Sequence, residues 1–190
     1  MFSKVKASYR RFILRRLLKH RSPKSIQNYQ QVTRVGMVFD VCDESNWSLV
    51  NKYADMFRSE GKQVWLLGIQ HKNVVRENSL VSQNTTIFQE SHDCNFLGIP
   101  SQHMSNTFKS LALDVLIDAT SSPSFLTQYV LLISPALLKI SYLNKVVPTD
   151  LSSGLLPVSE VCDFCIMGEG VFDVRYYLDN VIQYLKMVKK

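Results

Sequence analysis

Short, β-rich apolar runs separated by segments with helical spacing constrain this chain more than any other feature. The runs are Thr33–Phe39, Val64–Ile69, Asp114–Asp118, Leu138–Tyr142 and Phe164–Met167. Most are apolar along their whole length, as strands covered on both faces are. Between them, apolar residues recur at helical spacing: Trp47, Val50, Tyr53, Ala54 and Phe57; Met104, Phe108 and Leu111; Phe125, Leu126, Tyr129, Val130 and Ile133. The last segment is the cleanest, with Val174, Tyr177, Leu178, Val181, Leu185 and Val188 on one side of a helix. Strands alternating with helices in this way predict β-α-β units with right-handed crossovers. The expected fold is α/β: a single doubly wound, mostly parallel sheet of about five strands, Rossmann-like, preceded by a basic N-terminal helix.

Punctuation residues agree with that reading. Asp43 or Ser45 is expected to cap the first crossover helix and Gly61 to end it, Ser101 to cap the next, and Pro123 to open the one after. Residues 71–99 yield only a short β-like stretch at Thr85–Phe88 and a bend at Gly98-Ile99-Pro100. A chain of 190 residues, 46% hydrophobic and 20% charged, suffices for one buried core. The expected division is a basic helical arm and linker over residues 1–31 and a Rossmann-like domain over 32–190.

Charge is distributed unevenly. Lys4, Lys6, Arg10, Arg11, Arg15, Arg16, Lys19, Arg21, Lys24 and Arg34 all precede the first acid, Asp40. The remaining residues hold 12 Lys and Arg against 16 Asp and Glu, so the basic character belongs to the arm. Residues 2–20 read as a helix with Phe2, Val5, Tyr9, Phe12, Ile13 and Leu17 on one broad face; Arg16 falls inside that face, Leu14 and Leu18 outside it. Ser22-Pro23 is expected to stop the helix. The arm therefore has three candidate partners: nucleic acid, membrane headgroups, or the acidic body of the protein itself. Its contact residues would be Lys4, Lys6, Arg10, Arg11, Arg15, Arg16, Lys19 and Arg21.

In a doubly wound sheet, ligands bind beyond the carboxyl ends of the strands, near the switch in strand order. The loops meeting that description place Asp40, Asp43, Asp118, Thr120, Ser121, Ser122, Gly168 and Gly170 at a candidate crevice. The first loop carries no glycine, which argues against a dinucleotide, and no Gly-x-x-x-x-Gly-Lys-Ser/Thr pattern occurs. Asp40 and Asp118 suit either a magnesium ion or plain loop and cap positions. Thr120-Ser121-Ser122 suits either an anion at a helix N-terminus or an ordinary cap. Cys162 and Cys165 have Cys-x-x-Cys spacing at a strand entry, while Cys42, Cys94, His71, His92 and His103 stand alone. No catalytic set, metal or cofactor is assigned.

No apolar run approaches the ~20 residues of a membrane span, and the N-terminus lacks a secretory signal pattern. Reduced cysteines and a cytoplasmic location, with peripheral contact at the inner membrane face, are the expectation.

The basic N-terminal helix, Thr33–Phe39, Asp114–Asp118 and the closing amphipathic helix together resemble a family of short uncharacterised Bacteroidota proteins. That family implies no activity, site or cofactor. The stretch Asp114–Tyr142 looks like part of the N-terminal Rossmann-like domain of heptosyltransferase-like glycosyltransferases. Such enzymes bind the sugar nucleotide with a second domain, for which this chain has no room.

Two functions follow. The first is a non-enzymatic binding module whose arm contacts RNA or a ribonucleoprotein, or a membrane surface; RNA leads because Arg16 breaks the apolar face. The second is a small enzyme acting on a phosphorylated or sugar substrate at the crevice.

Overall fold

The computed structural model describes all residues except 1, 22–23, 26–27, 72–83, 144–152, 169–171 and 189–190. Ser22-Pro23 and Gly170 lie outside the described residues. In chain order the elements are α1 (Phe2–Lys19), β1 (Arg34–Asp40), α2 (Glu44–Ser59), β2 (Gln63–Gln70), β3 (Thr85–Gln89), α3 (Glu90–Asp93), α4 (Gln102–Ser110), β4 (Val115–Asp118), α5 (Phe125–Ile133), β5 (Leu138–Tyr142), α6 (Val158–Val161), β6 (Phe164–Ile166) and α7 (Val174–Met187).

All six strands are parallel, in the order β3-β2-β1-β4-β5-β6. The sixth strand is the β-like Thr85–Phe88 stretch, which pairs with β2 at the sheet edge. Strand order reverses between β1 and β4: the chain winds outward from β1 through β2 to β3, then crosses to β4 and winds outward the other way through β5 to β6.

Apolar side chains alternate between two cores. Val35, Met37 and Phe39 of β1 join α2 and α7 on one face, with Tyr177 and Val181 of α7 fully buried there. Val38 points to the other face, among residues of α1, α4, α5 and α6. Caps fall where side-chain oxygens stand ready to accept: Asp43 accepts the Asn46 N–H, Ser101 the Met104 N–H, and Asp173 the Arg175 and Tyr176 N–H groups. Gly61, at φ +80°, follows the C-terminal cap of α2. One expectation fails. Pro123 does not open α5: Ser124 caps it, its hydroxyl accepting the Thr127 N–H, so the helix begins at Phe125 and Pro123 lies before the cap.

The N-terminal helix departs further from its expected face. Ala7 and Leu14 are buried, while Val5 (62% exposed) and Phe12 (61%) point outward. The reason lies in α5, every residue of which is buried. A helix apolar on all sides needs cover beyond the sheet. Alpha1 supplies it by packing across α5. Two glycines shape the seat. A Cβ on Gly154 (φ +71°) would stand 2.5 Å from the Ala7 carbonyl oxygen, and one on Gly98 (φ +76°) would overlap the Arg10 guanidinium.

Candidate functional site

Two regions draw on the residues singled out above: the crevice at the strand-order switch and the arm. Beta1 and β4 end side by side, with Val38 opposite Asp118 in register. Beyond them lies an open recess of about 640 Å³, lined by Asp40, Cys42, Asp43, Glu44, Ser45, His71, Ser121 and Ser122. Asp40, Asp43, Ser121 and Ser122 thus meet there.

Asp118 and Thr120 serve the loop instead. Asp118 is buried and accepts the Thr120 N–H (3.1 Å), the Thr120 hydroxyl (2.6 Å) and the Ser141 hydroxyl (2.7 Å), tying the end of β4 to its own loop and to β5. Asp40 and Asp118 therefore have separate partners. Among the described residues, no group of three or more His, Cys, Asp or Glu is placed to share a metal ion. Gly168, just past β6, sits two strands beyond β4, buried against Tyr142, whose ring a Cβ would overlap.

Asp40 is held from one side only. Its Oδ2 accepts the Ser121 N–H (3.0 Å) and hydroxyl (3.2 Å), while Oδ1, buried, accepts no hydrogen bond among the described residues. His71, just past β2, brings Nε2 to 3.7 Å from that oxygen and Nδ1 to 3.6 Å from Glu90 Oε2. Two carboxylates flanking one imidazole favour its cationic form, Asp40 more than Glu90, so the His71 pKa is raised despite burial. Glu90 also faces Arg10 of the arm, Oε1 to NH2 at 3.4 Å. The result, when His71 is protonated, is a row of alternating charge, Arg10, Glu90, His71, Asp40, running from α1 to the recess. His71 and Glu90 were missed because only the β2–β3 pairing brings them together; the sequence signal was an acid and a histidine flanking an unreadable stretch.

The arm is partly consumed by its own domain. Arg10 donates from Nε to the Leu97 carbonyl (2.9 Å), and its guanidinium lies 4.8 Å from the Phe125 ring centroid. Arg21 donates to the Glu160 carbonyl (3.1 Å) and pairs with Asp163. Lys4, Arg15, Arg16 and Lys19 are exposed and Arg11 half-buried, and among the described residues none of these five pairs with a carboxylate. Tyr9, Phe12 and Val5 share the exposed side with them.

All four cysteines are free thiols. Cys162 caps the C-terminus of α6 and Cys165 lies within β6, so the pair stands at a strand entry, as Asp163 and Phe164 between them predict. No described helix is long and apolar enough to cross a membrane.

Residues 6–188 of the chain match a family model. The chain belongs to the family of unknown function DUF6913. Among curated proteins no match is found. The matched residues run from Lys6 in α1 through every described strand to the end of α7. The match carries neither an organism group nor the likeness to glycosyltransferases.

Proposed function

We propose that this DUF6913 chain is a non-enzymatic binding module whose N-terminal helix contacts RNA through its exposed face. One observation supports the reading above the rest. Ala7, Leu14 and Arg10 anchor α1 on the domain, yet Lys4, Arg15, Arg16 and Lys19 stay exposed on the opposite side beside Tyr9 and Phe12. Cations interleaved with aromatic rings suit phosphates and unstacked bases together. A lipid surface is served less well. The exposed apolar residues occupy only the first two-thirds of the helix, and Arg16 and Lys19 continue their stripe, so no continuous face is available for acyl chains.

The crevice supports an enzyme on phosphorylated substrates poorly. Asp40, Asp43 and Glu44 line it, and Asp43 already occupies the N-terminus of α2, where a phosphate would otherwise find free N–H groups.

Fluorescence anisotropy with a labelled single-stranded RNA, set beside co-sedimentation with anionic vesicles, tests the proposal. RNA binding by the full chain is expected to weaken steeply with salt as phosphates regain counterions. Replacing Arg15, Arg16 and Lys19 with Gln should lower affinity and flatten that dependence, with the melting temperature held. Vesicle binding without RNA binding, or RNA binding indifferent to the triple variant, would overturn it.

A further inference from the structure

The recess at the strand-order switch holds a feature that the arm does not explain. Asp40 is only 7% exposed, and its Oδ1 accepts no hydrogen bond among the described residues. A buried carboxylate oxygen in that state is costly unless a cation or donor reaches it. The one cation in range among the described residues is His71, at 3.7 Å, too far for a hydrogen bond. The His71 side chain is 38% exposed and shared with Glu90. Glu90 has a second cation in Arg10; among the described residues Asp40 does not.

We propose that this recess binds a small hydroxylated amine, whose ammonium group docks on Asp40 Oδ1 in place of the His71 ring. The walls fit such a ligand. Its volume of about 640 Å³ is that of a small-molecule site. Asp43 and Glu44 add negative charge from α2, and Ser121 and Ser122 place exposed hydroxyl-bearing residues beside Asp40, where a ligand's own hydroxyls are matched. Asp43 caps α2 through Asn46, which removes the attraction of that helix end for anions.

Ligand and imidazolium compete for one oxygen. The charged and titratable groups around His71 are Asp40 from β1, Glu90 from α3 with Arg10 of α1 behind it, and Cys42, Asp43 and Glu44 across the recess. Protonated His71 neutralises Asp40; once it loses its proton, no cation among the described residues compensates Asp40. Amine binding therefore strengthens as pH rises through the His71 titration.

The test is an NMR titration of the full chain with glucamine, whose amine stays protonated above neutrality, against sorbitol, the uncharged analogue. Between about pH 8 and about pH 5.5, the range in which a histidine changes charge, glucamine should shift the amides of residues 40–45 and 121–122 saturably at the higher pH. Its affinity should fall at the lower pH. Asp40→Asn should weaken binding by at least about tenfold, the worth of a hydrogen bond to a charged group, and His71→Gln should retain binding while abolishing its pH dependence. Sorbitol binding as tightly as glucamine, absence of saturable shifts at either pH, or pH dependence persisting in His71→Gln would overturn the proposal. That last variant decides the matter even if Asp40→Asn does not fold. RNA binding by the arm is unaffected in either case.

Discussion

Two buried carboxylates stand at opposite ends of the paired central strands, and they are treated differently. Asp114, just before β4, accepts four hydrogen bonds: the Thr33 N–H and hydroxyl and the Arg34 N–H, each at 2.8 Å, and the Arg34 guanidinium at 3.1 Å. Asp40, at the far end of β1, accepts two on one oxygen and, among the described residues, none on the other. The Asp114 end is further strapped, with Lys62 donating to the Tyr29 and Val32 carbonyls and Tyr29 bonded to Glu60. One end of the sheet is closed by its own polar groups; the other is left with capacity to spare. In a doubly wound fold the open end is the one that meets ligands.

That contrast is breakable by substitution. The largest effect is expected for Asp114→Ala, which strands the Thr33 and Arg34 backbone N–H groups, the Arg34 guanidinium being solvated in either case; chemical denaturation should show a loss of about 3 kcal/mol. Burial alone would raise the Asp114 pKa, but the Thr33 and Arg34 hydrogen bonds outweigh it and the net shift is downward. The folded pKa lies below the unfolded value of 3.8, so this contribution is complete above that value and disappears as pH falls through the folded one. Acid titration of Asp114→Asn against the parent chain reads the difference.

Lys139 sharpens the picture from the neighbouring strand. It is 1% exposed, its amine makes no hydrogen bond among the described residues, and burial, then the nearby Arg21, lowers its pKa from 10.5 to about 8, against partial support from Asp163 and Cys162. The unfolded chain thus holds the proton more tightly across that window, and stability should rise as pH climbs from about 8 to 10.5. Lys139→Met should remove that rise and stabilise the protein by up to about 3 kcal/mol at neutral pH, measured by denaturant melts at several pH values.

Smaller effects are expected beyond the carboxyl ends of the strands. Asp118→Ala loosens three hydrogen bonds, two from Thr120 and one from Ser141, and should cost about 2 kcal/mol. Asp40→Asn keeps an acceptor for Ser121 and should change stability by less than about 1 kcal/mol. Were Asp40→Asn as damaging as Asp114→Ala, the distinction between a closed and an open end would fail.

The arm shows where pattern reading stops. A helical wheel ranks residues 2–20 by hydrophobicity and selects the side of Val5 and Phe12, yet the buried side is that of Ala7, Leu14 and the Arg10 stem. The informative signal lay elsewhere, in Phe125–Ile133, apolar on every side and hence in need of a second cover. His71 and Glu90 were opaque for a related reason, being separated in sequence by residues with no readable period and joined only through strand pairing.

By itself the sequence determined the parallel α/β plan, because short apolar runs and amphipathic helices in alternation admit few other arrangements, and it determined most helix boundaries, because caps act over three or four residues. It also determined that the positive charge belongs to the first 34 residues. Only the tertiary structure decided which face of the arm is buried, that Asp118 serves its own loop while Asp40 faces a recess, and that a histidine joins that recess to the arm. Those outcomes depend on groups distant in sequence meeting across strands and helices, where burial and charge are set by neighbours that no local pattern records.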